Sequence, residues 1–527
     1  MRGLVLAVLA LLIVAGDSGR YAPQLVSNGL SVFEPHDAIE SSTPKHSAGH
    51  VNAALSLLWD ASNQGNENAQ QAFLNLFNNA FESDFSNGTV EKDTATYWLE
   101  KLVKIENADA AWLLYQILGE EGASERFMRL AAIGDVAEAQ LAFAMSSESP
   151  VKREKWLVRA ASQGYVPAQA ALADWYLLHG QQELAKPLLE ATATLDMQSA
   201  FKYGRLLWGE GAYAEAKVHI TRAATLGHAQ AKRAVHVIEK YKPISIDEAT
   251  RYSWQRASAS SKACLQRIQP FATSLATIIR ADSIYADFTK DNRLDNLSLC
   301  VAPPIWLAQN VLDCDKNYKS SGVLGCDITP LATMAKTREF SHAVVFAEQG
   351  KANVQNGVMY LDISDAYSVF VHELAHFAGF ADEYPMGRRM ASRLCDARQI
   401  EDFAPPNVVV DSEYWYAPHN TVANWLEIDP ATIIAPAKTC LISGKQAYKP
   451  SRRITFMEHH DSGVIPPLYI VLWEQQLNKQ NVQRPISMNF FQAFHKSGNQ
   501  VEAAHWLSEY EAYVNGSQAG DETADAD

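Results

Sequence analysis

The sequence predicts a multidomain chain of two dissimilar halves: an all-α helical-repeat solenoid over residues 49–245, then an α+β domain over residues 250–480. Three observations carry that division. From about residue 50 to 240 the composition is rich in Ala, Leu, Glu and Gln, with apolar residues at helical spacing. A phrase centred on glycine recurs there roughly every 30 residues, the period of helical hairpins. From about residue 250, short β-rich runs appear (HAVVFAEQ from 342, NGVMYLDIS from 356), with more proline, more aromatics and all six cysteines. A chain of 527 residues exceeds one ordinary core, and 47% hydrophobic residues mark it as globular. Its net charge of −15 argues against nucleic acid, which needs clustered Lys and Arg.

The ends and the cysteines point outward from the cytoplasm. Met1 and Arg2 precede GLVLAVLALLIVAG, a short positive segment and an apolar run with a cleavage position near Ala15 or Gly16. Residues 1–18 are therefore expected to be a signal peptide, too short for a comfortable membrane span. The mature protein is expected to be secreted or periplasmic, with an uncleaved anchor as the alternative. Residues 19–48, rich in Ser, Pro and His, read as a linker. Cys264, Cys300, Cys314, Cys326, Cys395 and Cys440 are confined to the second half, which suggests a disulfide framework there. Neighbour pairing would close the shortest loops, but the sequence leaves the connectivity open. The rival, a zinc cluster, lacks any C-x-x-C pair.

In the first half, LAAIGDVAEAQLAFA, RAASQGYVPAQAALA and RAATLGHAQAKRAV each join a helix end, a glycine (Gly134, Gly164, Gly227) and the start of an Ala-rich helix. TATLDMQSAFKYG is a degenerate copy, and weaker ones surround Gly65 and Ala108. Alanine at helix contacts permits close approach, and glycine provides a left-handed helix end. This half resembles Sel1-like repeats, relatives of tetratricopeptide repeats. The resemblance implies a curved solenoid whose concave face binds protein or peptide; the bland alternative is a scaffold for the second half. Residues 485–514 read as one further helical hairpin, and 515–527 as an acidic disordered tail.

One stretch carries chemistry: VHELAHFAGFADEY, from Val371 to Tyr384. Positions i and i+4 share a helix face, so His372 and His376 can aim two imidazoles at one metal. Glu373 sits beside them, at the place of a general base acting on a metal-bound water. Gly379 permits a sharp turn, and Asp382 stands where the extended form of the signature has a third histidine. A carboxylate oxygen binds zinc at a distance like that of histidine nitrogen, so His372, His376 and Asp382 are the candidate ligands of Zn2+. The expected chemistry is peptide-bond hydrolysis by a water of lowered pKa.

At HELAHFAGFADEY the sequence resembles the M64, or IgA-peptidase-like, zinc metallopeptidases. Further matches are PNVVVD at 406–411, NWLEI at 424 and YKPSRRITFMEHH at 448. The resemblance covers roughly residues 260–475. It implies a metzincin-like domain with Met457 in the methionine turn beneath the zinc, and Glu383 supporting the zinc ligands from behind, with Glu383 also the alternative third ligand. Tyr384, Tyr416, His419 and His459 are open candidates for a donor to the oxyanion. A peptide substrate is expected to lie antiparallel to the strand around 352–360, with Asn353, Asn356 and Gly357 shaping that edge unless QNG is an ordinary hairpin turn. The functional expectation is an exported zinc endopeptidase acting on protein or peptide, its repeats engaging substrate or a protein partner, without nucleic acid and without a stable membrane span. The alternative is a repeat-based adaptor whose second half binds peptides or holds a structural metal; a zinc amidase acting on cell-wall peptides would share the same ligands.

Overall fold

Residues 21–33, 48–86, 90–119, 124–251, 264–338, 340–395, 404–410, 420–479 and 483–515 are described by the structure, a computed structural model. The expected signal segment and the tail beyond Asn515 lie outside them. The chain divides into two units, Met1–His228 and Ala229–Asp527.

Among its described residues the first unit is helical throughout. Helix α1 (Ala22–Leu30) occupies part of the stretch expected to be linker. Pro23 in its first turn pre-sets a helical φ. Its Gly29 lies so close to α2 (Ala48–Asn63) that a Cβ there would meet Leu58 Cγ at 2.9 Å. Packing of a short apolar stripe holds this helix, a signal that the surrounding Ser- and Pro-rich composition hides. There follow α3 (Glu67–Glu82), α4 (Lys92–Lys104), α5 (Ala108–Leu118), α6 (Glu125–Ile133) and α7 (Ala137–Ser146). Then come α8 (Pro150–Ala161), α9 (Val166–Leu178), α10 (Gln182–Thr192), α11 (Met197–Gly209) and α12 (Tyr213–Thr225).

The alternate helices α5, α7, α9 and α11 begin at 108, 137, 166 and 197, steps of 29, 29 and 31 residues. The repeat is structural as well as textual. Three residues beyond each helix cap, Ala69, Ala110, Ala139, Ala168 and Ser199 are all fully buried, where a larger side chain would hold neighbouring helices apart. Asn66, Asn107 and Asp196 cap their helices by accepting the backbone N–H three residues on. Gly65, Gly164 and Gly227 take the left-handed conformation (φ +83, +79 and +104). Gly134 does not: its φ is −81, and Asp135 carries the positive φ of that turn. Gly134 is required by closeness instead, since a Cβ there would lie 2.3 Å from the Cβ of Ala108.

Helix α13 (Ala229–Lys240) keeps the repeat period but belongs to the second unit, so the solenoid expected to run to 245 ends in packing terms at His228. The Nζ of Lys240 and the hydroxyl of Tyr241 both donate to Oδ1 of Asp282, each at 2.7 Å, which ties the end of α13 into that unit. A short α14 (Ile246–Ala249) follows.

The second unit is α+β. Its main sheet joins β1 (Gln266–Ala272), β2 (Leu299–Val301), β3 (Ile305–Trp306), β6 (His342–Ala347), β7 (Asn353–Gln355) and β8 (Val358–Asp362) in the order β2-β1-β6-β8-β7, with β3 also on β1. Every pairing is parallel except β7 with β8. Strands β6 and β8 are buried along their whole length, as suits parallel strands covered on both faces and explains their unbroken apolar runs. Helix α15 (Leu275–Phe288), opened by a Ser274–Thr277 capping box, crosses from β1 to β2. A hairpin of β4 (Asp313–Asp315) and β5 (Gly325–Asp327) and the short α16 (Ala332–Arg338) precede β6.

After β8 the chain forms α17 (Tyr367–Phe377) and α18 (Arg388–Leu394). A small antiparallel sheet then brings together β9 (Val409–Val410), β10 (Ala435–Ala437) and β11 (Ala447–Lys449), with α19 (Asn420–Ile428) between. Helix α20 (Pro467–Asn478) and the hairpin α21 (Ile486–Ser497) and α22 (Gln500–Asn515) close the unit. Phe490 of α21 and Trp506 of α22 sit in the core beneath the main sheet. The disulfides pair neighbours: Cys264–Cys300, Cys314–Cys326 and Cys395–Cys440. No helix among the described residues is long and apolar enough to cross a membrane.

Candidate metal centre

Helix α17 leaves the C-terminal end of β8 after a four-residue turn, so the central sheet fixes where its first turn starts. Phe370, Leu374 and Phe377 are buried and anchor it. The opposite stripe carries His372 and His376, one turn apart, with rings edge to face at 4.8 Å. Gly379 follows the helix with φ +79, a conformation that a β-carbon would strain. That turn reverses the chain and returns Asp382 to the two imidazoles.

Three donor atoms converge there. Asp382 Oδ1 lies 3.0 Å from His372 Nε2 and 3.2 Å from His376 Nε2, and the two Nε2 atoms are 3.2 Å apart. Zinc with bonds of about 2.0–2.1 Å sets neighbouring tetrahedral donors about 3.4 Å apart, so this triangle needs only slight widening. Each imidazole has its other nitrogen committed: His372 Nδ1 to the carbonyl of Phe456 at 2.9 Å, and His376 Nδ1 to that of Phe380 at 2.8 Å. Both rings must then donate from Nδ1, which leaves Nε2 as the atom facing the centre, where a metal ion would take the place of a proton. With that proton displaced, two neutral imidazoles and one carboxylate would fit a divalent cation in number, type and net charge.

The site is electrostatically tense. Burial alone would lower the pKa of His376, yet the Asp382 carboxylate outweighs it and pushes His376 up to about 9. Burial would raise Asp382, but the two histidines hold it well below the usual carboxylate range. Glu373 is 7% exposed, and no hydrogen bond to its carboxylate occurs among the described residues. Burial raises its pKa, opposed by His376 and His372. A carboxylate near the centre, desolvated and uncommitted, is suited to taking a proton.

Glu383 faces away into a fully buried network. Its Oε1 accepts from Asn407 Nδ2 at 3.0 Å and Tyr469 OH at 2.6 Å, its Oε2 from Lys449 Nζ at 3.0 Å and Thr455 Oγ1 at 2.5 Å. Lys449 also pairs with Glu458. The backbone N–H of Glu383 donates to Met457 O, and the Asp382 carbonyl accepts from Thr439 Oγ1. Asp382 is thereby clamped from behind, while Met457 lies fully buried in the turn whose Phe456 carbonyl orients His372.

Sequence reasoning did not find the floor of this site. Phe380 and Phe456, whose carbonyls orient the two histidines, both pack their rings on Trp473 of α20, at 5.7 and 6.0 Å, and on Tyr469. Tyr469 and Trp473 carried no motif. Of the residues expected to shape a substrate edge, Asn353 donates to Leu324 O and Lys351 O, and Asn356 to Gln492 Oε1. Gly357 (φ +79) is the tip of the β7–β8 hairpin, and a Cβ there would collide with Ile486 N at 2.3 Å. The QNG turn is thus a hairpin pressed against α21 at Gly357, with Gln355 exposed, and β7 itself is an edge strand. Of the four oxyanion candidates, Tyr384 has its ring 6.1 Å from that of His372, Tyr416 and His419 lie outside the described residues, and His459 stacks on His460 at 5.3 Å.

No family model and no curated protein matches the chain. Among solved structures it is similar to a Sel1 repeat protein from Oxalobacter formigenes, at 17% identity over 36% of this chain and 87% of that one, with a TM-score of 0.27. It is also similar to MamA, at 17% identity over 29% of this chain and 95% of that one, with a TM-score of 0.22. At such scores these likenesses carry no weight of their own; the repeat character of the first unit rests on its helix spacing and buried alanines.

Proposed function

We propose that this chain is an exported zinc-dependent peptidase of metzincin-like type, whose helical-repeat unit engages its protein substrate or a protein partner. The observation that carries the reading is the convergence of His372 Nε2, His376 Nε2 and Asp382 Oδ1, with both Nδ1 atoms already committed to carbonyls. A zinc ion held there would supply Lewis acidity and a water of lowered pKa. Glu373 is the general base: its carboxylate takes the proton from the attacking water and later delivers it to the leaving amine nitrogen. The Glu383 network keeps Asp382 from swinging away, and the Phe380–Phe456–Trp473 floor excludes water from the back of the imidazoles. Three disulfides fit an oxidising compartment, which supports export.

Glu373→Gln tests this directly. The variant keeps its shape and about one zinc per chain, while cleavage of an unfolded protein substrate falls by several orders of magnitude; undiminished cleavage ends the reading.

A second reading has an observation in its favour. Large apolar side chains stand exposed along the repeat unit, among them Ile133, Met145, Leu178, Leu195, Met197 and Leu226, as expected of a protein-binding array. A non-catalytic adaptor with a structural metal would bind zinc without hydrolysing peptide at all, so metal-dependent turnover separates the two.

A further inference from the structure

We infer that the Cys395–Cys440 disulfide is a positioning element of the metal centre, holding Asp382 against the two imidazoles, so that tight zinc binding requires this pair to be oxidised. The inference rests on the zinc-centre part of the reading above and holds for a catalytic and a structural ion alike. Three hydrogen bonds to residues 382–386 come from one short segment, the start of the connection between β10 and β11. Thr439 Oγ1 donates to the Asp382 carbonyl at 2.7 Å, Lys438 N–H to the Glu383 carbonyl at 3.0 Å, and the Thr439 carbonyl accepts from Met386 N–H at 3.2 Å. The residue after Thr439 is Cys440, and its partner Cys395 ends α18, the helix that follows the ligand turn. The disulfide thus joins the clamp to the chain it clamps.

Apolar packing does little to hold that segment. Beyond Cys440 the connection runs exposed, Leu441 at 65% and Ile442 at 50%. Against it lies a cluster of eight buried residues, separate from the core under the main sheet; four are alanines, Ala381 beside the ligand among them, and two are the half-cystines themselves. A core that small needs a covalent staple. Without the bond Thr439 is free to withdraw, and the centre keeps two imidazoles on α17 but no fixed carboxylate. Closure is a two-electron step: the thiols of Cys395 and Cys440 lose two protons and two electrons as the S–S bond forms, and a disulfide oxidant such as oxidised glutathione takes up both and is cleaved to two thiols. In a reducing compartment the chain therefore stays poor in zinc, and it acquires the ion once exported. Both half-cystines are buried, so reductant does not reach the finished bond and the change runs one way.

The oxidised full-length protein is compared with Cys395→Ala/Cys440→Ala, with Asp382→Ala, with the three changes combined, and with Cys314→Ala/Cys326→Ala as the control pair. Zinc affinity is read by competition with a chelator, ligand geometry by the visible bands of the cobalt(II)-loaded protein, and folding by hydrogen exchange. Loss of the Cys395–Cys440 bond is expected to weaken zinc binding about 10–100-fold and to alter the cobalt spectrum. Exchange in β1, β6 and β8 stays slow, because Glu383 keeps its partners, and the control pair leaves affinity and spectrum unchanged. The combined variant binds zinc no more weakly than Asp382→Ala alone, since the bond acts through that ligand. Undiminished affinity without the bond overturns the inference, and so does an additive loss in the combined variant. A loss that comes with fast exchange in β1, β6 and β8 also overturns it, because the bond would then support the whole unit. An unaltered protein that takes up neither zinc nor cobalt removes the metal reading and this inference together; zinc uptake without peptide cleavage removes the peptidase reading alone.

Discussion

In the repeat unit, polar side chains reach across about one repeat. Asn107 donates to Gln70, 37 residues earlier, and Gln163 to Gln140, 23 residues earlier; the helix caps at Asn66 and Asn107 span three residues. In the second unit a single carboxylate, Glu383, gathers partners 24, 66, 72 and 86 residues away. The contrast bears on both stability and function. A stacked array loses stability piecewise, because each hairpin touches only its neighbours. A unit built on long-range contacts responds as a whole, and it also holds His372, His376 and Asp382 within 3.2 Å of one another.

The largest effect expected from this contrast is at Glu383. Removing it with Glu383→Ala takes one of two carboxylates from Lys449, itself 3% exposed and left with Glu458, and removes an acceptor from Thr455, Tyr469 and Asn407 at once. Breaking one partner out of a buried ion pair costs about 3–5 kcal/mol. Hydrogen exchange should show the whole second unit losing protection together, with zinc binding, while helices α3 to α12 keep theirs. Protection lost only around residues 381–384 would mean the network is local and the comparison misdrawn.

A smaller effect comes from His342 in β6, fully buried and packed against Phe377 of α17 at 4.6 Å. Burial pushes its pKa down to about 3. The unfolded chain protonates this ring below about 6.5 and the folded chain only near 3, so between those values the unfolded state binds more protons. The second unit should therefore lose stability as pH falls from 6.5, by about 2–3 kcal/mol at pH 4.5 from this group alone. Urea unfolding monitored across pH, with His342→Leu as the control, checks it; the variant should show a flatter acid limb. An equally steep limb in the variant would assign the acid sensitivity to other groups.

The contrast between units also sets how much was readable beforehand. The repeat period, the buried alanines and the turn glycines are local, and the sequence displays them, apart from Gly134, where closeness to Ala108 is invisible in one strand of text. The motif from Val371 to Tyr384 is local too, which is why His372, Glu373, His376, Gly379 and Asp382 could be named from spacing. The support around it is not local. Asn407, Lys449 and Thr455 lie within the downstream segments that carried the family resemblance, yet nothing in those segments says that all three converge on one carboxylate. Tyr469 and Trp473 sit on a helix that carries no motif, and only the fold reveals them as the floor beneath the histidines.

Overpacking should stay confined to the repeat unit. A Cβ on Gly204 of α11 would lie 2.7 Å from Ile220 Cγ1 and 3.0 Å from the Ala216 carbonyl of α12. Gly204→Ala must part these two helices, at about 1–3 kcal/mol. Exchange should quicken in α11 and α12 and leave the metal centre and its zinc content unchanged.

The smallest effect separates the two jobs of Asn107. Its Oδ1 caps α5 through the N–H of Ala110 at 2.8 Å, and its Nδ2 donates to Gln70 of α3 at 2.9 Å. Asn107→Ala removes both and should cost about 1 kcal/mol, seen as faster exchange in α3 and α5. Asn107→Ser restores the cap alone. If Asn107→Ser recovers α5 but not α3, the side chain couples two repeats beyond its local cap, and the unit is a chain of neighbour contacts. If Asn107→Ser recovers both helices, the inter-repeat bond contributes nothing measurable, and the apolar core, Phe73, Phe77 and Leu114 among it, holds the stack together.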